Sequence, residues 1–267
     1  MKQRRYIPLF AILILFLFAC KSKDSQGIAA NTAAEVLKHQ IRTSVKRYCV
    51  NDEQCADFNI FYLNVSGSDA VLAEAVNKAV QARTIAGLDG NKNLPIEVAL
   101  DSAGIKFIDQ FVQLKRDIPE QTQGQAIQLT SNVPLNNPKV MTVRLDFFFS
   151  TGGAHPNAAS AVMSFDLQNG GRELTAADLL QDTNAVLPLL EKAYKQSKQL
   201  KETDDIGQLL LTENKKLPLP VNVGVVPEGI LFAYNDYEVA PHAVGPADIV
   251  LTWEQLGSLA DKSKWIQ

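Results

Sequence analysis

Residues 139–167, KVMTVRLDFFFSTGGAHPNAASAVMSFDL, carry the pattern that decides how this chain folds. KVMTVRLDFFFS and SAVMSFDL are rich in Val, Phe and Met and alternate with a period near two, which predicts two strands. Between them, Gly152-Gly153 read as a turn or bulge needing positive φ, and Pro156 stiffens its neighbours into extended or turn geometry. His155 falls in this segment, directly after the more apolar strand. Upstream, AIQLTSNV from Ala126 is another strand with the same period, and downstream QNGG (168–171) is a turn.

Helical spacing frames this block on both sides. A hairpin over about 41–66 (IRTSVKRYC, CADFNIFYLNV) leads into Ser66-Gly67-Ser68-Asp69, a turn with an N-cap residue. Leu72, Val76 and Val80 then share one helix face, and GLDGNKN (87–93) breaks the helix. Pro95 opens a second helix, with Ile105, Ile108, Val112 and Lys115 on one stripe, and DIPEQTQGQ (117–125) closes it. After the turn at 168–171, TAADLL and NAVLPLLEKAYKQSKQL are helices, the second amphipathic through Val186, Leu189, Leu190, Ala193 and Leu200. PVNVGVV and GILFAYN are strands joined by PEG (227–229); DIVLTW is a last strand and WEQLGSL a short closing helix. There is no internal repeat. Strand hairpins alternating with helices predict an α+β fold of antiparallel sheets with packed helices. The division is expected near 170, into parts spanning 35–170 and 171–267.

The N-terminus predicts the compartment. Lys2, Arg4 and Arg5 precede thirteen uncharged residues, Ile7 to Ala19, too few for a spanning helix of about 20 residues. The run ends in LFAC and resembles a bacterial lipobox. Residues 1–19 are then a lipoprotein signal, Cys20 the lipidated mature N-terminus, and 20–34 a polar tether. Lys21, in place of an aspartate, favours the outer membrane. The expected location is the bacterial cell envelope, held to the membrane by lipid.

Loss of the three signal-peptide basic residues takes the formal charge from −3 to −6, a mildly acidic balance that argues against nucleic acid or an anionic membrane surface as a partner. Of the three cysteines, Cys49 and Cys55 remain after lipidation; so close together outside the cytoplasm, they are expected to form a disulfide. No free thiol is left, and neither a G-x-S-x-G elbow nor a phosphate-binding G-x-x-x-x-G-K-[ST] loop is present. His39 reads as a solvated surface residue. His155 and His242 sit in the two Gly/Pro-rich segments, where such histidines commonly bond to loop backbone. A metal-dependent hydrolase assembled from His155, Glu238 and His242 is the enzymatic alternative, though no H-x-x-x-H pair supports it. A structural scaffold of the envelope is a further one. No cofactor is implied, and the expectation is a protein that is not an enzyme.

Four features occur in order: FFFSTGGAHPN, SFDLQNGGRELTAADLL, a long amphipathic helix, and PEGILFAYNDYEVAPHAVGP. Together they resemble the RsiV-like extracytoplasmic domain, domain-of-unknown-function family 3298. Gly229, Phe232, Asn235, Tyr237, Glu238, Ala240, Pro241 and Gly245 match its last motif. His242 stands where the family commonly has tyrosine, and Ser150 where tyrosine often precedes Thr-Gly-Gly. The segment at about 41–85 resembles the companion domain that often precedes this one. The family includes the lysozyme-binding sensory part of anti-sigma factors and the non-catalytic region of some peptidoglycan deacetylases. Without a sigma-binding segment or a deacetylase domain, the resemblance implies an orphan binding domain on a lipid anchor. Its ligand would be a lysozyme-like protein or cell-wall glycan, and its candidate binding residues are Gly152, Gly153, His155, Asn235, Tyr237, Glu238 and His242.

Overall fold

The computed structural model describes residues 36–120, 123–153 and 155–266. The signal, Cys20 and the tether lie outside the described residues. Nine strands form two sheets. The larger contains β1 (Lys38–Cys49), β2 (Cys55–Ser66), β3 (Gln125–Asn136), β4 (Val140–Ser150), β5 (Asn157–Asp166) and β6 (Arg172–Leu174), in that order. The smaller contains β7 (Asn222–Val226), β8 (Gly229–Tyr234) and β9 (Ala247–Thr252). The α+β class is as the period changes predict. One junction departs from the hairpin pattern: β2 and β3 pair in parallel. The connection between them holds two helices, α1 (Ala70–Gly87) and α2 (Ile96–Asp117), and a crossover of that length returns the chain in the same direction.

Asp69 caps α1, its side chain accepting the Leu72 amide at 2.9 Å. α2 buries a different stripe from the one its spacing suggested. Ile96, Ala99, Leu100, Gly104, Phe107 and Phe111 face the sheet, while Ile105 is 49% exposed. Phe107 and Phe111 are the bulkiest apolar side chains of the buried stripe, and Gly104 lets the helix approach Lys46 and Phe58 closely. The disulfide between Cys49 and Cys55 is present at the β1–β2 hairpin end. His39 is exposed, as expected, but within β1 instead of a tether-side coil.

After β6 come the short α3 (Ala176–Leu179), α4 (Leu187–Ser197), α5 (Trp253–Leu256) and α6 (Lys262–Trp265), with 3₁₀ turns between. β6 and α6 are too short to leave a periodic signal in the sequence. Among the described residues no helix is long and apolar enough to cross a membrane.

The molecule has two apolar cores. One lies between the large sheet and helices α1 and α2, around Phe58, Leu100, Phe111, Leu129 and Phe165. The other lies between the small sheet, α4 and the C-terminal turns, around Leu190, Tyr194, Phe232, Leu251 and Trp265. β7 and β8 are buried along their whole length because both of their faces are covered. Their second face packs on the large sheet, where Val226, Leu231 and Ala233 meet Val162.

A buried polar cluster links the two sheets. Thr142 Oγ1 donates to the Val225 carbonyl at 2.6 Å and lies 2.7 Å from Ser164 Oγ, which accepts the Val225 amide at 2.9 Å. Replacing Thr142 by valine keeps its shape but leaves that carbonyl unpaired. Thermal or urea unfolding should show a loss of about 1–3 kcal/mol; an unchanged stability would mean that the cluster does not hold the sheets together.

Candidate functional site

Two connections meet on one surface: β4 to β5 (151–156) and β8 to β9 (235–246). The first begins beyond Ser150, with Gly152 at φ +91° in the left-handed region that glycine enters without strain. Gly152, Gly153 and His155 are all exposed.

The second is a tight turn fastened at each end. The Asn235 side chain accepts the Ser160 amide at 2.6 Å and donates to the Ser160 carbonyl at 3.0 Å. β6 pairs with β5 only at residues 164–166, so Ser160 has an open edge and Asn235 takes the place of a neighbouring strand. The Glu238 carboxylate accepts the Asn235 amide at 2.8 Å, and the Glu238 amide donates to the Asn235 carbonyl at 3.2 Å. The Asn235 side chain is therefore spent on anchoring the loop, while Glu238, though exposed, uses one carboxylate oxygen to close it. At the loop's far end Lys198, from the end of α4, donates to three carbonyls, those of Val244, Gly245 and Pro246, at 2.7–2.9 Å. Burial pushes the Lys198 ammonium pKa down, and the Asp236 carboxylate opposes that shift.

Held in this way, the turn carries Tyr237 at φ +61°. A bulky residue in the left-handed region is unusual and costs about 1–2 kcal/mol. Its ring is 58% exposed and stacks on His242, centroids 5.5 Å apart and planes at 15°. His242 stacks in turn on His155, at 5.6 Å and 26°. Three rings from two loops thus form one continuous stack. Beneath it lies Asp236, its side chain only 9% exposed, with Oδ2 3.3 Å from His242 Nδ1. That contact lacks hydrogen-bond geometry, and neither Nδ1 nor Asp236 Oδ1 has another partner among the described residues. It becomes an ion pair whenever the imidazole is protonated.

A small cavity of about 170 Å³ lies where the two ends of the 235–246 loop meet β5, lined by Arg144, Ser160, Tyr234, Asn235, Pro246 and Asp248 among others. Arg144 bonds there to Asp146 at 2.7 Å and Asp248 at 2.5 Å. Burial works against its charge, but these two carboxylates outweigh it and raise the guanidinium pKa.

His155, Tyr237 and His242 are thus brought together, and Gly152 and Gly153 lie in the loop that delivers His155. Glu238 bonds the Asn235 amide. Among the described residues no group of three or more His, Cys, Asp or Glu side chains is arranged to hold a metal ion. Sequence reasoning missed Asp236 and Lys198. Asp236 was legible only as one of several polar residues in NDYE, and Lys198 as one of several lysines on an amphipathic helix.

Tyr237→Gly removes the strain of the left-handed turn. Differential scanning calorimetry should show a fold more stable by about 1 kcal/mol; a destabilised protein would mean that the ring stack outweighs the strain.

Comparison with known proteins places the fold. No curated protein matches the chain. A crystal structure of a DUF3298 family member from Bacteroides fragilis superposes with a TM-score of 0.68 at 18% identity, covering 86% of this chain and 95% of that one. One from Pseudomonas aeruginosa superposes with a TM-score of 0.64 at 16% identity, covering 88% and 99%. Within this shared fold, residues 177–254, which include the 235–246 loop and not the 151–156 loop, match the model of DUF3298, described as a protein of unknown function.

Proposed function

We propose that this is an RsiV-like lipoprotein of the bacterial cell envelope whose two converging loops bind an extracytoplasmic ligand without catalysis. The observation that carries this reading is the His155–His242–Tyr237 stack. Strain in an exposed aromatic residue, enforced by the hydrogen bonds around it, is characteristic of functional surfaces. The exposed ring faces suit a sugar ring, which offers an apolar C–H face ringed by hydroxyls, and the imidazole nitrogens and nearby carboxylates suit those hydroxyls. Cell-wall glycan is therefore the ligand class favoured. A lysozyme-like protein is the second reading, favoured by the formal charge of −6 left after the signal, which steers a cationic partner at low salt. The lipobox ending in Cys20 supports the anchor.

Calorimetric titration with muropeptides, and separately with lysozyme, tests the binding. One of the two should bind, and Tyr237→Ala or His242→Ala should weaken it about tenfold, or 1.4 kcal/mol. Folded protein that binds neither, or binding indifferent to both substitutions, would overturn the proposal.

The anchor has its own test. Growth with an alkyne fatty acid should label the wild-type protein and leave Cys20→Ser unlabelled. An unlabelled wild type would show that the N-terminus is processed in another way.

A further inference from the structure

β1 is an edge strand of twelve residues, without proline and without a bulge in its pairing to β2. Which of its backbone groups face outward follows from the far side of β2. Ser131 Oγ donates to the Phe61 carbonyl, and the Asn77 amide brackets the Val65 amide and carbonyl. The odd-numbered residues of β2 thus point away from β1. Their partners are the odd-numbered residues of β1: Phe61 lies opposite Thr43, and Val65 opposite His39. In an antiparallel ladder the outward groups of β1 are therefore those of His39, Ile41, Thr43, Val45 and Arg47. Among the described residues nothing is hydrogen-bonded to them.

Three other open backbone positions are closed by asparagine side chains. Asn77 caps β2, and Asn222 and Asn235 cap β5 at Val162 and Ser160. β1 has no such cap. Three of its basic residues are drawn toward neighbouring carboxylates, Arg42 toward Glu97 and Lys46 toward Asp101, both on α2, and Arg47 toward Asp57, but they keep their charges, so they restrict which strand register the edge can accept. α2 lies over the β1–β2 pair, with Phe107 against Phe58, and leaves Ile41 (42% exposed) and Val45 (57% exposed) on the opposite face.

The geometry points to a second copy of this chain as the occupant of that edge, the two β1 strands pairing antiparallel about a two-fold axis at Thr43. In this register Ile41 of each copy meets Val45 of the other on one face, and Thr43 meets Thr43. Arg47 lies opposite His39 on that same face, and on the other face Arg42 lies opposite Ser44 and Lys46 opposite Gln40. The neighbouring registers are worse. An axis at residue 42 sets Arg42 against Arg42, and one at residue 44 sets Arg42 against Lys46, like charges that destabilise a cross-strand pair. The outward groups of five residues on each strand supply about ten hydrogen bonds in the favoured register. The two six-stranded sheets become one, with an isologous interface that closes on itself.

Sedimentation equilibrium of the purified protein in detergent tests this. The wild type should be a dimer. Thr43→Pro removes an outward amide at the axis while leaving the bonds to β2, so it should sediment as a monomer with unchanged circular dichroism. Val45→Lys should raise the dimer dissociation constant about tenfold or more, and it serves equally if the proline variant does not fold. Thr43→Cys should cross-link two copies in oxidised membranes, since facing residues in a hydrogen-bonded pair lie about 5.5 Å apart. A wild type that stays monomeric, or a dimer that both Thr43→Pro and Val45→Lys leave intact, would overturn the proposal.

Discussion

The close approach of β7 to the large sheet is the constraint on which the rest of this structure depends. It is possible because residue 224 is glycine. A Cβ there would stand 2.6 Å from Val162 Cγ1, 3.1 Å from Ser164 Oγ and 3.2 Å from Thr142 Cγ2. Without that Cβ, the β7 backbone comes near enough for Thr142 and Ser164 to satisfy both polar groups of Val225. Burying a peptide unit against another sheet is costly unless both groups find partners. The two hydroxyls provide them where no ladder could.

The same docking brings the two loops together. β8 follows β7 in the small sheet, so the end of β8 is carried to the open part of β5. There Asn235 finds Ser160, just as Asn222 finds Val162 one step along the strand. The β4–β5 connection ends a few residues before Ser160, and this is why His155 arrives at the ring of His242. The ring stack is thus a consequence of how two sheets meet, with only Gly152 and the turn at 235–238 tuned locally.

How much of this was legible depended on range. The strands of 139–167, the Asp69 cap and the disulfide hairpin were readable because each rests on neighbours in sequence. The α2 face was misread, since Ile105 and Phe107, two residues apart, point to nearly opposite sides of the helix and only the sheet decides which side is buried. The two Gly/Pro-rich segments stood out by composition, yet nothing local distinguishes residues that form a loop from residues that it displays. Asn235 and Glu238, the most motif-like positions, bond the loop's own backbone and its anchor on β5; His155, Tyr237 and His242 were brought to face one another by a contact spanning 75 residues, Asn235 to Ser160.

That division of labour accounts for the strained tyrosine. A left-handed turn at a bulky residue persists only where its surroundings leave no alternative. Here the Asn235 amide pair fixes one end of the turn, Glu238 closes it, and the half-buried Lys198 ammonium gathers three carbonyls at the other end. A charged donor to a carbonyl contributes more than a neutral one, about 1.5–3 kcal/mol each before the cost of burying the ammonium. The fastening thus exceeds the strain it must hold. Glycine at 237 would suit the turn better and lose the ring, so the residue's value lies in what it presents to the solvent. Stability spent on holding one exposed aromatic face in place is the physical ground for reading this surface as a binding site.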